Sequence, residues 1–270
     1  MSAESFPTVI ALGFEGVHRV GKGTQMDMLS ERLDTMNVPN LQVRGDGSKE
    51  AQWGSDHPDS MWWNSMTHAL RGPDATPEHW QAASIRLTHE MRYLKQEVLP
   101  SMATDQGSQH AAILIDRSVI SRMMIPLERG QLDTDSNLDD LYRDPQLPGF
   151  ELPSFAPEIV GRPVDNNAID TETELSFQDA MPDTLFLFDA PIGALLRRLD
   201  DDDPKLRFRA RNIVNCAHLY PLALGLMPDD LRDQVVNISG VPPAEHVHRA
   251  VVGAIARRHP DLLNGDGLGI

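Results

Sequence analysis

The stretch FEGVHRVGKGTQ, residues Phe14–Gln25, decides how this chain folds. It follows a continuous apolar run, Thr8–Phe14, of the kind found in strands that are covered on both faces. It leads into a helical pattern, because apolar residues recur on one face from Met26 to Met36 and the helix is expected to begin near Lys22. A glycine-rich turn between a strand and a helix gathers backbone N–H groups around an anion. We therefore predict a phosphate-binding loop here.

The side chains of this loop indicate a nucleoside triphosphate. Gly16 and Gly21 allow the tight backbone turns, and the ammonium of Lys22 can bridge the β- and γ-phosphates of ATP. Gly23 stands where the strict pattern has Ser or Thr, so we expect Thr24 to contact phosphate and magnesium to be held largely through water. The predicted nucleotide-binding residues are Gly16, Val17, His18, Arg19, Val20, Gly21, Lys22, Gly23 and Thr24.

Strand and helix patterns alternate along the rest of the chain. The further predicted strands are Leu41–Arg44, Ala111–Asp116, Thr184–Asp189 and Gln234–Ile238. The longest predicted helices run from Pro77 to about Met102, from Arg207 to Leu224 and from Pro243 to Arg258. Such alternation implies right-handed crossovers, which produce a parallel sheet. We predict a three-layer α/β fold with about five parallel strands and helices on both faces.

Residues Pro126–Pro182 interrupt this alternation with several prolines and an acidic stretch. A structureless segment of this length is unusual within a compact domain. We interpret it as an insertion into a single domain that spans residues 1–270, with a short helix around Leu138–Tyr142. We expect a solvated surface flap, with a substrate cover and an oligomer contact as the alternatives.

A second motif, DRSVIS, follows the predicted strand that ends at Asp116. Ligands of parallel sheets bind beyond the carboxyl ends of the strands, so the Asp116 carboxylate is expected near the loop. There it can orient magnesium-bound water, which makes Asp116 the candidate metal residue. The guanidinium of Arg117 can bind phosphate through two parallel hydrogen bonds. Ser121 is a candidate contact to the acceptor.

These motifs resemble those of known nucleotide kinases. FEGVHRVGKGTQ resembles the P-loop of thymidylate kinases, and its GKGTQ ending is similar to that of adenylate kinases. The DRS run resembles both the Asp-Arg-Tyr motif of thymidylate kinases and the Glu-Arg-Ser motif of deoxyribonucleoside kinases. The resemblance implies the P-loop kinase fold with a mobile lid at about residues 200–212, and it implies ATP and Mg²⁺ as cofactors.

The resemblance also implies roles for single residues. Arg19 would assist phosphoryl transfer, Arg44 would hold the acceptor phosphate, and Arg86 would contact the acceptor base. His18 stands where thymidylate kinases have an Asp that binds the sugar 3′-hydroxyl. The implied catalytic residues, including two lid arginines, are Lys22, Arg19, Asp116, Arg117, Arg207 and Arg209.

Composition excludes several classes of function. The chain has 40 acidic and 24 basic residues and a formal net charge of −16, which argues against nucleic acid as a partner. The single cysteine, Cys216, cannot form an internal disulfide and is expected to be buried. No apolar run is long enough to cross a membrane, and the first residues lack a signal-peptide pattern. We expect a cytoplasmic protein whose partner is a nucleotide-like or nucleoside-like small molecule, as a monomer or a homodimer.

Three readings of the function remain open at this point. In the first, ATP phosphorylates a nucleoside monophosphate, whose phosphate oxygen is already ionised and needs no strong base. In the second, the acceptor is the hydroxyl of a nucleoside or related small molecule, and Asp46 takes its proton. In the third, the chain binds nucleotide as a switch without turnover. The first is favoured because the arginines and Lys22 would supply its charge neutralisation, with Arg44 holding the acceptor, although the DRSVIS run favours the second. Arginines at two strand ends and in the lid region are more than a switch requires.

Overall fold

The structure is a computed structural model of the chain. It describes residues 6–44, 81, 84–85, 88–89, 91–133, 135–142, 158–159, 162–163, 175–199 and 205–263.

Five parallel strands form the central sheet, in the order β2-β3-β1-β6-β7. These strands are β1 Thr8–Gly16, β2 Asn40–Arg44, β3 His110–Asp116, β6 Thr184–Asp189 and β7 Val235–Ser239. Two short antiparallel strands, β4 Glu158–Ile159 and β5 Arg162–Pro163, form a separate ribbon. The predicted parallel sheet is confirmed. β1 runs past Phe14 because Glu15 and Gly16 still pair with Leu187 and Phe188 of β6.

Helices cover both faces of this sheet. The α-helices whose limits lie among the described residues are α1 Lys22–Thr35, α2 Leu99–Asp105, α3 Val119–Glu128, α4 Ile192–Leu196, α5 Leu206–Leu226, α6 Asp229–Arg232, α7 Ala244–Arg258 and α8 Pro260–Leu263. Successive residues of a strand face opposite sides, so Ala11 and Leu12 of β1 point into different layers. Leu12 packs in one core with Leu29 of α1, whereas Ala11 packs in a second core with Leu99 of α2. The three-layer α/β fold class is therefore confirmed.

The predicted long helix over Pro77–Met102 is helical wherever its residues are described. It contains a π-helical turn at Leu94–Val98 and then continues as α2 to Asp105. Lys95, within that turn, forms a 2.8 Å ion pair with Asp183, directly before β6. Cys216 is a buried free thiol, as predicted. None of the described helices is both long and apolar enough to cross a bilayer.

The segment between α3 and β6 packs differently from the expected surface flap. Helix α3 continues through Pro126 to Glu128, so the irregular segment begins later than predicted. The predicted short helix is a 3₁₀ helix at Leu138–Tyr142. Its side chains Leu138, Leu141 and Tyr142 are buried in the main core, as is Phe177 near the far end of the segment. The flap prediction is therefore wrong for both ends of the segment, because their apolar side chains complete the core.

The strand ends meet at one edge of the sheet. Asp116 of β3 pairs with Phe14 of β1 on one side and with Arg44 of β2 on the other. Gly16 of β1 pairs with Phe188 of β6. The two motifs singled out in the sequence, with the backbone of Arg44 beside them, therefore lie at the same carboxyl edge.

Candidate phosphate-binding site

The loop between β1 and α1 has a backbone that requires glycine at its first turn. Gly16 has φ +138°, and a Cβ added there would lie 2.4 Å from the backbone oxygen of Phe188. Arg19 and Gly21 are also left-handed, with φ of 67° and 106°. Turns of this kind gather successive N–H groups into anion-binding concavities. Val17 and Val20 are buried and anchor the loop to the core.

The N-terminus of α1 opens directly from this loop. Gly21 is its N-cap and supplies no side-chain hydrogen bond to the first turn. The first backbone N–H groups of a helix have no partners within the helix, and they carry its positive end. A Cβ placed on Gly21 or Gly23 would meet no atom within 4 Å. This end of the helix therefore has both the polarity and the space to accept an anion.

Lys22 lies under the loop as a buried cation. Its Nζ donates to the carbonyl oxygen of Gly16 at 2.7 Å and lies 3.4 Å from that of Val17. Burial, and next the charge of Arg117, lower the pKa of Lys22 to about 8, while Asp116 and Glu15 act in the opposite direction. Lys22 is therefore close to the end of β3 as well as to the loop.

Four cations act on His18, which occupies the middle of the loop. Burial, and then the charges of Arg209, Arg19, Lys22 and Arg117 in that order of importance, together lower the pKa of His18 to about 4. Its buried Nε2 has no hydrogen-bond partner. The imidazole is therefore neutral at pH 7, and the positive charge around the loop comes from three parts of the chain: the loop with the start of α1, the end of β3, and α5.

The end of β3 is hydrogen-bonded to β1 directly beside the loop. Arg117 has φ 65°, a left-handed conformation that is unfavourable for a residue with a side chain. Its N–H donates to the carbonyl oxygen of Phe14 at 3.1 Å, which joins the strand end to β1 immediately before the loop. Asp116 and Arg117 therefore lie beside the loop.

Two groups in the site were missed by the sequence analysis. The first is Glu15, which is fully buried although it precedes the loop glycine. Its carboxylate accepts hydrogen bonds from Ser118, Ser121 and Tyr220 at 2.6–3.0 Å. These partners lie 103 to 205 residues away along the chain, so no local pattern indicates them.

The second is Arg198, which follows α4. Its Nη1 donates to the carbonyl oxygen of Arg19 at 3.2 Å, and its Nη2 donates to that of Gly240 at 2.8 Å. Gly240 itself is pressed against the loop, because a Cβ there would lie 2.6 Å from Cγ2 of Val20. The turn after β7 therefore supports the loop from the side.

The predicted lid and acceptor residues have different placements. Arg209 lies on the first turns of α5 and acts electrostatically on His18, whereas Arg207 is exposed. The hydroxyl of Ser121 donates to Glu15 at 2.6 Å, so its hydrogen is used within the protein. Asp46 and Arg86 lie outside the described residues, and Arg44 is described by its backbone alone.

Comparison with known proteins gives structural matches only. No protein-family model matches the chain, and no curated protein matches it significantly. A solved thymidylate kinase from Candida albicans is 15% identical over 94% of both chains, with a TM-score of 0.49. One from Ehrlichia chaffeensis is 15% identical over 92% of this chain and 100% of its own, with a TM-score of 0.45.

Proposed function

We propose that the chain is a P-loop kinase that transfers the γ-phosphoryl group of ATP to a nucleoside monophosphate. The observation that carries the proposal is the convergence of Lys22, Arg19, Arg117 and Arg209 around His18, in a chain of formal net charge −16. Gathering four cations costs free energy through their mutual repulsion. A highly charged anion at the same place would compensate that cost.

The loop fits a triphosphate in shape as well as in charge. The space in front of Gly21 and Gly23 is open, and the first turn of α1 presents its N–H groups there. The buried ammonium of Lys22 donates a hydrogen bond to the carbonyl oxygen of Gly16 and lies 3.4 Å from that of Val17. A bound phosphate would offer that ammonium a stronger, charged acceptor.

Asp116 is the residue that fits magnesium. Among the described residues, no group of three or more His, Cys, Asp or Glu side chains could hold a metal ion. A single carboxylate at the end of β3 suits Mg²⁺, which keeps several waters and takes its remaining oxygens from substrate phosphates. When bound, the ion would neutralise charge on the phosphates, and Asp116 would orient its water ligands.

The acceptor phosphate is expected on the other side of Asp116. The backbone of Arg44 is in register with Asp116, and Arg117 follows directly, so two arginines flank the strand end. A phosphate acceptor needs no general base, and catalysis then consists of positioning and charge neutralisation. The four cations around the loop suit this chemistry.

A panel of acceptors tests the proposal. The purified protein is incubated with ATP and Mg²⁺ and with each nucleoside monophosphate, each nucleoside or no acceptor, and ADP formation is measured. We expect turnover with at least one monophosphate and none with nucleosides. Turnover with nucleosides alone would favour a hydroxyl kinase, and ATP binding without turnover would favour a switch.

Lys22→Ala is expected to abolish turnover while the far-UV circular dichroism spectrum stays unchanged, because the ammonium that faces the phosphates is lost. Full activity in Lys22→Ala would exclude the loop as the active site.

The two arginines on the first turns of α5 provide a matched comparison. Arg209 acts on the loop, so Arg209→Ala is expected to lower kcat by about 10³-fold, the effect of an arginine that stabilises a transferring phosphoryl group. Arg207 is exposed, and Arg207→Ala is expected to change kcat by less than about 5-fold. Equal losses in steady-state assays of the two variants would contradict this placement of Arg209.

A further inference from the structure

Glu15 is the centre of a buried hydrogen-bond network at the start of the loop. Its Oε1 accepts from the backbone N–H of Ser118 at 2.6 Å, from the Ser118 hydroxyl at 2.9 Å and from the backbone N–H of Ser121 at 3.0 Å. Its Oε2 accepts from the Ser121 hydroxyl at 2.6 Å and from the Tyr220 hydroxyl at 2.8 Å. A buried carboxylate is costly unless its oxygens are satisfied, and here five donors satisfy them.

The contacts to Ser118 and Ser121 cap helix α3 from a distant strand. Ser118 immediately precedes the helix, and in an ordinary N-cap its own oxygen would accept from the backbone N–H of Ser121. Glu15 takes that place, and its negative charge also suits the positive end of the helix. Arg117, directly before Ser118, has a left-handed backbone, which persists only where its neighbours are held firmly. Glu15 therefore holds the backbone from which Arg117 projects.

The contact to Tyr220 extends the network to the loop and to α5. The Tyr220 hydroxyl donates to Glu15 and accepts from the backbone N–H of Gly16 at 3.0 Å, so it fixes the first amide of the loop. Tyr220 belongs to α5, the helix that also carries Arg209. Burial, and next the charge of Glu15, raise the pKa of Tyr220 well above its usual value, so the hydroxyl keeps its proton and remains a donor.

We propose that Glu15 is a positioning residue for phosphoryl transfer, which joins the phosphate-binding loop, the Arg117 strand end and helix α5 through one buried carboxylate. This inference rests on the function proposed above. Glu15 does not face the substrate space itself, because its side chain is fully buried and both of its carboxylate oxygens accept hydrogen bonds from Ser118, Ser121 and Tyr220. It acts through Gly16 on the nucleotide side and through Arg117 on the acceptor side.

Two variants separate the Tyr220 side of the network from its α3 side without removing the carboxylate. Tyr220→Phe deletes only the hydroxyl that links Glu15 to Gly16 and α5, and the double variant Ser118→Ala/Ser121→Ala deletes only the two hydroxyls on the α3 side. Tyr93→Phe is the matched control, because Tyr93 is a buried tyrosine in the second core, away from the loop. These changes preserve shape, so each protein is expected to fold.

The first readout is amide hydrogen exchange in the nucleotide-free protein. In Tyr220→Phe the Gly16 amide loses its acceptor, and its exchange is expected to be about 10-fold faster, the effect of one ordinary hydrogen bond. The Gly16 amide in Tyr93→Phe is expected to exchange at the wild-type rate. Unchanged Gly16 exchange in Tyr220→Phe would overturn the proposed link, whatever the protein does with ATP.

The second readout is whether each variant changes the KM for ATP or kcat. A loss of stability alone would not change one constant in one variant and the other constant in the second. Tyr220→Phe is expected to raise the KM for ATP by about 10-fold with a smaller effect on kcat, because it releases the loop that binds both ground state and transition state. The double serine variant is expected to lower kcat by about 10-fold with little change in the KM for ATP, because it releases Arg117.

The outcomes distinguish this inference from the function on which it rests. If the wild-type protein turns over ATP and both variants match Tyr93→Phe in KM and kcat, the positioning role is wrong and the kinase proposal stands. If the wild-type protein neither binds nor turns over ATP while Gly16 exchange responds to Tyr220→Phe, the kinase proposal fails, and with it the catalytic meaning of the network.

Discussion

At the scale of single residues, Lys22 shows how the loop is prepared for an anion. Its ammonium is buried and has only carbonyl oxygens as described acceptors, which satisfy it less well than a charged phosphate would. Burial and Arg117 together lower its pKa to about 8, so the charged form is disfavoured but still predominant at pH 7. An arriving phosphate therefore meets a cation that gains free energy by binding it.

This shift predicts how ATP binding depends on pH. Bound phosphate favours the protonated lysine, so binding above pH 8 must take up a proton. The dissociation constant for ATP is expected to be flat near pH 7 and to rise toward about tenfold per pH unit above pH 8. Isothermal titration calorimetry between pH 7 and 9.5 measures this dissociation constant.

Two variants serve as controls. Lys22→Met should bind ATP weakly at every pH, and Cys216→Ala should keep the wild-type profile. A flat wild-type profile would contradict the lowered pKa.

The lowered pKa of Lys22 has opposite effects on binding and folding. Rising pH weakens ATP binding but increases the free energy of unfolding. Between about pH 8 and 10.5 the unfolded chain holds a proton on Lys22 that the folded chain has released. The contribution of Lys22 to the free energy of unfolding therefore rises with pH across this window and is constant below it.

Residues within one local motif could be predicted from the sequence, and residues that act across the chain could not. Lys22 and Asp116 were found because each sits at a fixed offset from a strand end. Glu15 and Arg198 were missed because their partners are distant in sequence, and an isolated Glu or Arg has no spacing that reveals a partner. The charges of Arg19 and Arg117 make them candidates from the sequence, whereas nothing in the sequence indicates their left-handed backbones.

At the scale of elements, the junction of β1 and α1 combines one glycine that is required with another that is not. Gly16 ends a strand in a conformation reserved for glycine, directly against the backbone of β6. Gly23 lies in the first turn of α1 with open space around it. The sequence motif contains both residues, and only the structure separates their roles.

This difference predicts opposite effects on stability. Gly16→Ala is expected to lower the free energy of unfolding by at least about 2 kcal/mol, because it combines a strained backbone with a 2.4 Å contact to the Phe188 oxygen. Gly23→Ala is expected to raise it by about 0.5 kcal/mol, because the unfolded chain loses freedom while the helix accepts the methyl group. Urea denaturation of both variants measures the difference. Similar values for the two would contradict the close contact at Gly16.

Element boundaries were predicted well where pairing follows the apolar pattern. Thr184–Asp189 has the predicted limits because its apolar run coincides with its partners in β1 and β7. The π-helical turn at Leu94–Val98 was not predicted, since its apolar residues fit an α-helical stripe equally well. Tertiary contacts, such as the ion pair between Lys95 and Asp183, accompany the wider turn.

At the scale of the whole molecule, the segment between α3 and β6 belongs to the core at both ends. Phe177 and Tyr142 contact each other edge to face, with ring centroids 6.4 Å apart. The backbone N–H of Phe177 also donates to Asp139 at 2.9 Å. The composition of the segment predicts a surface flap because prolines and acidic residues dominate it. A few apolar side chains at its two ends nevertheless pack into the main core.

Loss of one of these anchors is expected to destabilise the entire domain. Phe177 is 2% exposed, so Phe177→Ala should lower the free energy of unfolding by about 3–5 kcal/mol. Phe6 is 91% exposed, and Phe6→Ala should change it by less than about 0.5 kcal/mol. Thermal and urea unfolding of both variants provide the test. If Phe177→Ala unfolds like Phe6→Ala, the segment does not contribute to the main core.

The two hydrogen bonds of Arg198 have a consequence for protein engineering. The guanidinium of Arg198 donates hydrogen bonds to the carbonyl oxygens of Arg19 and Gly240, and it belongs neither to the loop nor to the turn after β7. If only the FEGVHRVGKGTQ peptide were grafted onto another scaffold, the carbonyl group of Arg19 would lose its hydrogen bond from Arg198. A working transplant must carry three separate pieces of chain: the loop, the arginine after α4 and the glycine turn after β7.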